Sequence, residues 1–353
     1  MNSGKLIRGL LIALPMGLAV IGIASLTYTT IFKPQAKELE ASTANRGPMV
    51  SVSGIREADL QDYLETLTVR IGERHYEKPQ MLEATKFYLE STLGISNFGF
   101  QVKEQNFEVE GQTFTNVEVE IPGTKWPEQI VVIGAHYDTV KGTPGADDNA
   151  SGVAAMLALA QSFSGKQQAR TLRFVAFVNE EPPFFETNDM GSYRYAERCK
   201  NDGDLIVAML SLESMGYFSD APDSQKYPQA ISDQYPKVGN FIGIVGNLKS
   251  RELVDFCHNS FVSAATIPTE KGAFPEMIEG VGWSDHWAFW KFGYPAIMIT
   301  DTAPFRNPNY HKSTDTLETL DLPRLTQSVI ATRKAIEDLA NVEKLSWVTK
   351  MDD

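Results

Sequence analysis

The 353-residue chain is 42% hydrophobic and carries a formal net charge of −13. Such a length admits a large core and about two domains, although one α/β domain can run past about 200 residues. The acidic balance offers nothing to neutralise phosphates, which excludes nucleic acid as a main partner; two cysteines, Cys199 and Cys257, exclude a disulfide framework and leave open one bridge or two buried thiols.

Residues 1–8 form a short tail, and residues 9–32 carry no charge. A helix of that length can cross a bilayer, which takes about 20 residues. The rival is a cleaved signal peptide, whose apolar part is usually about 7–15 residues and closes on a small-residue site. This run is longer and lacks such a site, so it reads as an uncleaved N-terminal anchor, with secretion after cleavage as the alternative. Lys5 and Arg8 precede it, and Lys33, Lys37 and Arg46 come after it, so positive-inside counting does not orient it. An anchor at the extreme N-terminus most often exports the large polar part of the chain, and the domain is expected in the periplasm or outside the cell. Residues 33–54 are polar and interrupted by Pro34, Gly47, Pro48 and Gly54, as in a linker. One large folded domain is expected over 55–345, and a polar tail over 346–353.

From Glu57 the pattern turns helical. Leu60, Tyr63, Leu64 and Leu67 share one face, and residues 81–93 carry a second stripe. His75, between them, reads as a loop residue rather than a ligand. Residues 100–121 alternate as two strands turning at Glu110-Gly111. Apolar runs at 130–136, 171–178, 205–212, 241–245 and 295–300 suit buried strands. Helical patterns at 153–163, 191–200, 250–262, 284–291 and 323–340 separate several of them. Strands alternating with helices predict an α/β domain with a mixed, mainly parallel sheet and helices on both faces, preceded by one transmembrane helix. Residues 218–237 and 266–283 read as rim loops.

The strand ends carry the chemistry. The first ends at His136 with Asp138 just beyond, and Asp147 and Asp148 precede the next helix. Others end at Glu180-Glu181, at Glu213, and at Asp301 with a loop reaching His311. Each has an ordinary reading: caps for Asp147 and Asp148, a solvated pair for Glu180-Glu181, a loop residue for His311. Glu213 at a buried strand end is costly to hide without a partner. A parallel sheet sends such ends to one edge, where open α/β sheets place their chemistry. Two imidazoles and three carboxylates exceed the needs of one tetrahedral zinc and suit two divalent ions sharing a carboxylate. One further carboxylate must stay off the metals to carry a proton.

Taken in order, His136-Tyr137-Asp138, the 145–152 run Gly-Ala-Asp-Asp-Asn-Ala-Ser-Gly, Glu180-Glu181, Glu213, Ser284-Asp285-His286 and Tyr310-His311 with Asp315 resemble the co-catalytic di-zinc exopeptidases. These are the secreted bacterial aminopeptidases, with relatives among glutamate carboxypeptidases and glutaminyl cyclases, and the likeness spans about 55–340. It implies two zinc ions bridged by Asp148, with His136 on the first and Glu181 on the second, His311 beside it. Glu213 falls where the family often has an aspartate ligand. Glu180 would be the general base and acid, and Tyr310 the phenol that stabilises the oxyanion. Asp138 would orient His136, with Asp147, Asp285 and His286 as support, and the peptide bond between Asp148 and Asn149 would be cis. The chain departs from the family at 182–190, Pro-Pro-Phe-Phe-Glu-Thr-Asn-Asp-Met. Phe184 and Phe185 in this loop read as substrate rim, a structural lid being the alternative.

The implied activity is removal of N-terminal residues from peptides. A carboxypeptidase, in which Arg306 would hold a substrate carboxylate instead of pairing within the protein as a loop arginine more often does, and a single-zinc glutaminyl cyclase are the alternatives among enzymes. A non-catalytic ectodomain that binds through the same scaffold is the alternative outside them.

Overall fold

In the computed structural model the described residues are 54–348. The tail, the anchor, all but the last residue of the linker, and residues 349–353 lie outside them. Among the described residues, 54–232 and 236–348 fall in one compact unit, to which the fold and the site belong. Among the described residues no helix is long and apolar enough to cross a membrane.

The domain opens with α1 (Glu57–Glu65), which buries Leu60, Tyr63 and Leu64, and continues through a wider turn at Thr66–Ile71 that buries Leu67. Helix α2 (Pro79–Leu93) starts on a proline, whose missing N–H costs nothing at that position. The hairpin comes next, as β1 (Lys103–Val109) and β2 (Gln112–Ile121). Glu110 and Gly111 both take positive φ, 51° and 82°, the twist that a two-residue hairpin turn requires.

Then come β3 (Trp126–His136), α3 (Gly152–Phe163), β4 (Arg170–Phe177), α4 (Gly191–Asp202), β5 (Leu205–Glu213), β6 (Ile242–Asn247), α5 (Arg251–Ala264), β7 (Thr269–Phe274), α6 (His286–Lys291), β8 (Ala296–Thr300) and α7 (Leu322–Asn341). The eight strands form one sheet in the order β1-β2-β4-β3-β5-β8-β6-β7. β3 pairs in parallel with β4 and β5, β5 with β8, and β6 with β7. β1–β2, β2–β4 and β6–β8 are antiparallel.

Two consequences place the site. The carboxyl ends of β3, β4, β5 and β8 share one edge, and reversed β6 sends Asn247 to the other. Expectation and structure differ at 266–283, where an edge strand, β7, occupies part of the supposed rim loop.

Alternation along the strands separates two apolar layers. Val131, Ile133 and Ala135 of β3 join α3 and α7 in one cluster with Val153, Met156, Leu157, Val329 and Ile336. On the other face, Phe177 stacks edge-on with Tyr195 of α4 and Phe289 of α6, centroids 5.5 and 6.2 Å apart. Helix α3 is buried around its whole circumference apart from Gln161. Gly152 at its start is needed for contact: a Cβ there would lie 2.3 Å from the Leu212 carbonyl oxygen. Cys199 and Cys257 are buried free thiols.

Candidate metal centre

Three loops and two strand ends converge at the carboxyl edge of the sheet. β3 delivers His136, the turn at 146–151 delivers Asp148, the end of β4 leads to Glu180 and Glu181, β5 delivers Glu213, and the loop after β8 delivers His311. His136, Asp148, Glu180, Glu181 and Glu213 are buried, while the His311 side chain keeps 30% of its surface exposed. The Asp148–Asn149 peptide bond is cis.

The carboxylate of Asp148 faces both histidines. Its Oδ1 lies 3.4 Å from Nε2 of His136, and its Oδ2 lies 3.0 Å from Nε2 of His311. Glu213 Oε2 comes within 3.3 Å of the His136 nitrogen, and Glu181 Oε2 within 3.4 Å of the His311 nitrogen. Glu180 stands slightly back, 3.8 Å from His136 Nε2. Tyr310 stacks on the His311 ring, centroids 3.8 Å apart.

Side chains around this cluster hold it in place. Asp138 accepts from the backbone N–H groups of Glu180 and Glu181, both at 3.1 Å, through its carboxylate, and its backbone carbonyl lies 3.2 Å from His136 Nδ1, with the carboxylate 3.5 Å from the same nitrogen. It therefore braces the glutamate pair as well as the histidine. Asp147 accepts from the Gly216 N–H at 2.9 Å and from Asn307 Nδ2 at 2.8 Å, joining three of the segments that converge here. Four residues absent from the sequence-based assignment belong here. Asp315 accepts from the N–H groups of Asp147 and Asp148 at 3.0–3.2 Å. Ser284 and Ser214 donate their hydroxyls to Glu213 at 2.8 and 2.9 Å, and Asn149 Nδ2 stands 3.4 Å from the same carboxylate. Their signal in the sequence is adjacency alone: each is next to a predicted site residue or, for Asp315, part of the His311 motif.

One assignment changes, and two open alternatives lean to the structural side. His286 donates from Nε2 to the Val281 carbonyl at 2.8 Å and packs edge-on against Trp290. Burial lowers its pKa to about 4, so it is a neutral core residue rather than support for a ligand. Arg306 is not at the rim: its guanidinium donates inward to Gln225 at 2.8 Å and to the Phe241 carbonyl at 2.8 Å, because the 217–241 loop folds over it. Phe184 lays its ring between Tyr76 and Phe114, tying its loop to the hairpin, while Phe185 is half-buried. Asp285 is fully buried, within electrostatic reach of His136 and Glu213. His75 pairs with Glu73 at 3.2 Å.

The electrostatics are those of acids crowded out of water. Burial, with Glu181, Glu213 and Asp285 adding to it, raises Glu180 well above the usual carboxylate range. Burial and Asp148 push Glu181 up to about 7 against the pull of His311. Burial pushes Asp285 to about 7. Asp148 goes the other way: burial opposes ionisation, but His136 and His311 outweigh it and hold the group well below the normal range. Burial disfavours the His136 cation, yet Glu180 and Glu213 prevail and raise it. His311 likewise rises to about 10 against burial through Asp148 and Glu181. Burial and the surrounding carboxylates raise the Tyr310 phenol, which keeps its proton at neutral pH.

These residues fit divalent cations. Nε2 of His136 and of His311 are buried without a hydrogen-bond partner, although carboxylate oxygens stand around both. His136, Asp148 and Glu213 form one trio, and Asp148, Glu181 and His311 another, each with donor atoms within 4.8 Å of one another. Imidazole and carboxylate donors are those that zinc accepts, and the common member supplies one oxygen to each trio.

Residues 116–335 match the profile described as peptidase family M28. The protein YfbL of Escherichia coli K12 is 34% identical over 279 residues, covering 76% of this chain and 84% of that one. A protein of Arthroderma benhamiae named "Probable leucine aminopeptidase" is 28% identical over 309 residues, covering 82% of this chain and 72% of that one. The solved structure of a zinc aminopeptidase from Bacillus subtilis superposes with a TM-score of 0.66 at 14% identity, covering 84% of this chain and 98% of that one, a likeness of fold. The matched span contains both trios and Glu180, and the chain belongs to peptidase family M28, a hydrolase of peptide bonds.

Proposed function

We propose that this peptidase is an aminopeptidase that works with two zinc ions, one held by His136, Asp148 and Glu213 and the other by Asp148, Glu181 and His311. The observation that carries the reading is the Asp148 carboxylate, with one oxygen toward each histidine and a second acid beside each. Bound zinc supplies Lewis acidity, which polarises a carbonyl and makes water nucleophilic at neutral pH.

The chain's own residues do the rest. Glu180 is buried beside the trios and held by its backbone to Asp138. It is the group placed to take a proton from the attacking water and return it to the leaving amine. Tyr310, protonated and stacked on His311, is placed to donate to the oxygen that becomes negative in the tetrahedral state. Asp138, Asp147 and Asp315 keep the ligand loops in register. The inward turn of Arg306 removes the arginine that a carboxypeptidase reading assigns to the substrate carboxylate, which favours the amino end. The relative named as a leucine aminopeptidase points the same way.

Residues 9–32 are proposed to anchor the chain, with the domain in the periplasm or outside the cell and secretion after cleavage the alternative. The support is the uncharged run itself. Reporter fusions after residue 54, with membrane fractionation, test both points.

The decisive experiment combines elemental analysis with a panel of amino-acid amides and short peptides, each offered free and N-blocked and including N-terminal glutamine. Two zinc ions per chain and turnover of free-amine substrates alone are expected. One zinc with release of cyclised N-termini would establish the cyclase, turnover of N-blocked peptides from the carboxyl end the carboxypeptidase, and no turnover at full zinc the binding module.

A further inference from the structure

Arg74 lies in the loop between α1 and α2, far from every ligand in sequence, and is fully buried. Among the described contacts its guanidinium meets carbonyls rather than carboxylates. Nε donates to the Tyr137 carbonyl at 2.8 Å, Nη1 to those of Leu67, Gly72 and Pro144 at 2.8–3.0 Å, and Nη2 to that of Gly145 at 3.2 Å. Its backbone adds two bonds with Thr139, one from Arg74 N to Oγ1 and one from Thr139 N to Arg74 O, both at 3.1 Å. Every acceptor beyond the loop's own turn lies on residues 137–145, the strap between His136 and Asp148.

A planar group with five donors can satisfy carbonyls pointing in from several directions, and no other side chain can. Burial lowers the Arg74 pKa to about 10, with Asp138, Asp315 and Asp148 pulling it back, so the charge persists at neutral pH. As a charge alone, a cation here repels incoming zinc. As a clamp, it sets the length and shape of the strap that spaces the first ligand from the shared one.

We propose that Arg74 is a positioning residue for the metal centre, holding the 137–145 strap so that His136 and Asp148 face each other before any ion binds. This rests on the zinc reading above.

The two roles predict opposite signs, which makes Arg74→Gln the decisive variant. The full-length chain, stripped of metal, is titrated with zinc against a chromophoric chelator, and the metal-free melting temperature is recorded alongside. Loss of the clamp weakens zinc binding about ten-fold or more at one site or both, even though a positive charge has been removed. Arg170→Gln is the control. Arg170 is equally buried and also donates to carbonyls, those of Leu339 and Val342, at the start of β4; its loss lowers the melting temperature and leaves zinc affinity within about two-fold.

Zinc affinity in Arg74→Gln equal to wild type, or tighter, overturns the proposal. So does an equal loss of affinity in Arg170→Gln, which would mark a general effect of destabilisation. If Arg74→Gln does not fold, Thr139→Val removes one tie and leaves the charge; a smaller weakening is expected, and wild-type affinity in that variant overturns the clamp. Wild-type protein that takes up no zinc would instead refute the metal reading and leave the clamp without an object.

Discussion

Replacing Asp138 with asparagine tests how much of the catalytic geometry rests on one carboxylate. Its two oxygens each accept a backbone N–H, from Glu180 and from Glu181, at 3.1 Å. Asparagine offers one oxygen and one NH2, so whichever way the amide turns, one of those N–H groups meets a donor. A hydrogen bond to a charged acceptor is worth about 1.5–3 kcal/mol. Since about 1.4 kcal/mol is ten-fold in rate, the expected loss in kcat/KM is roughly 10- to 100-fold. The fall should be mainly in kcat, because the displaced backbone carries Glu180. The assay is steady-state hydrolysis of an amino-acid amide by protein whose zinc content has been measured. A fully loaded Asp138→Asn enzyme within about two-fold of wild type would show that the glutamate pair holds itself. A loss traceable wholly to missing zinc would move the role of Asp138 to His136.

The same geometry yields other expected outcomes. Glu180→Gln should keep both zinc ions by elemental analysis and lose about 10²–10⁴-fold in kcat; near-normal turnover would take Glu180 out of the mechanism. Tyr310→Phe should lower kcat by up to about 100-fold with little change in KM, and an unchanged kcat would leave the phenol as a mere stacking partner of His311. Gly152→Ala should destabilise the metal-free fold by about 1–3 kcal/mol, because the new Cβ falls 2.3 Å from the Leu212 carbonyl oxygen; a melting curve identical to wild type would mean that β5 gives way freely. Metal-free protein should lose stability from pH 6 to 9. Folded Glu181 (about 7, from 4.5) and folded His311 (about 10, from 6.5) both bind protons more tightly than when unfolded, so their stabilising protons depart as pH rises through those windows. Depressed Asp148 works in the opposite sense only at acid pH. Melting temperatures with and without chelator should therefore diverge as pH rises, and a constant gap would refute this linkage.

The convergence of the proposed site residues is legible in the sequence because they sit where strand periodicity stops. His136, Glu180-Glu181 and Glu213 each close an apolar run, and parallel pairing of β3, β4 and β5 puts those ends on one edge. Strand direction is less legible. β6 reads as apolar as its neighbours, but it pairs antiparallel with β8, a choice made by long connections rather than by its own residues. β7, Thr-Glu-Lys-Gly-Ala-Phe, leaves no clear trace because an edge strand with few fully buried residues needs no apolar run. Arginines mislead for a different reason. A guanidinium that satisfies carbonyls looks, in sequence, like one facing water, so the pattern leaves Arg306 between the rim and an internal pairing and gives Arg74 no role.

The acids of the site also explain why so much of the chain is spent on holding it. Asp138, Asp147, Asp148, Glu180, Glu181, Glu213, Asp285, Asp301 and Asp315 are all buried, and isolated buried carboxylates are costly to ionise. Without metal, protons carry the balance, which is why burial raises Glu180, Glu181, Asp285, Asp301 and Asp315 together. Two divalent cations would replace those protons. Repulsion among the ligands would otherwise spread the loops, and the structure opposes it with backbone ties. After Glu213, four successive N–H groups, of Ser214, Met215, Gly216 and Tyr217, donate to Asn149, Ser151, Asp147 and Asp301 at 2.7–3.1 Å. The first three register the segment after Glu213 against the turn bearing Asp148, and the fourth ties it to the loop after β8. Polar ties of this kind, made in a low-dielectric interior, fix the relative placement of the two segments more specifically than apolar packing does. Loops tied in this way stay in register while protons leave, which is what the proposed pair of zinc ions would require of them.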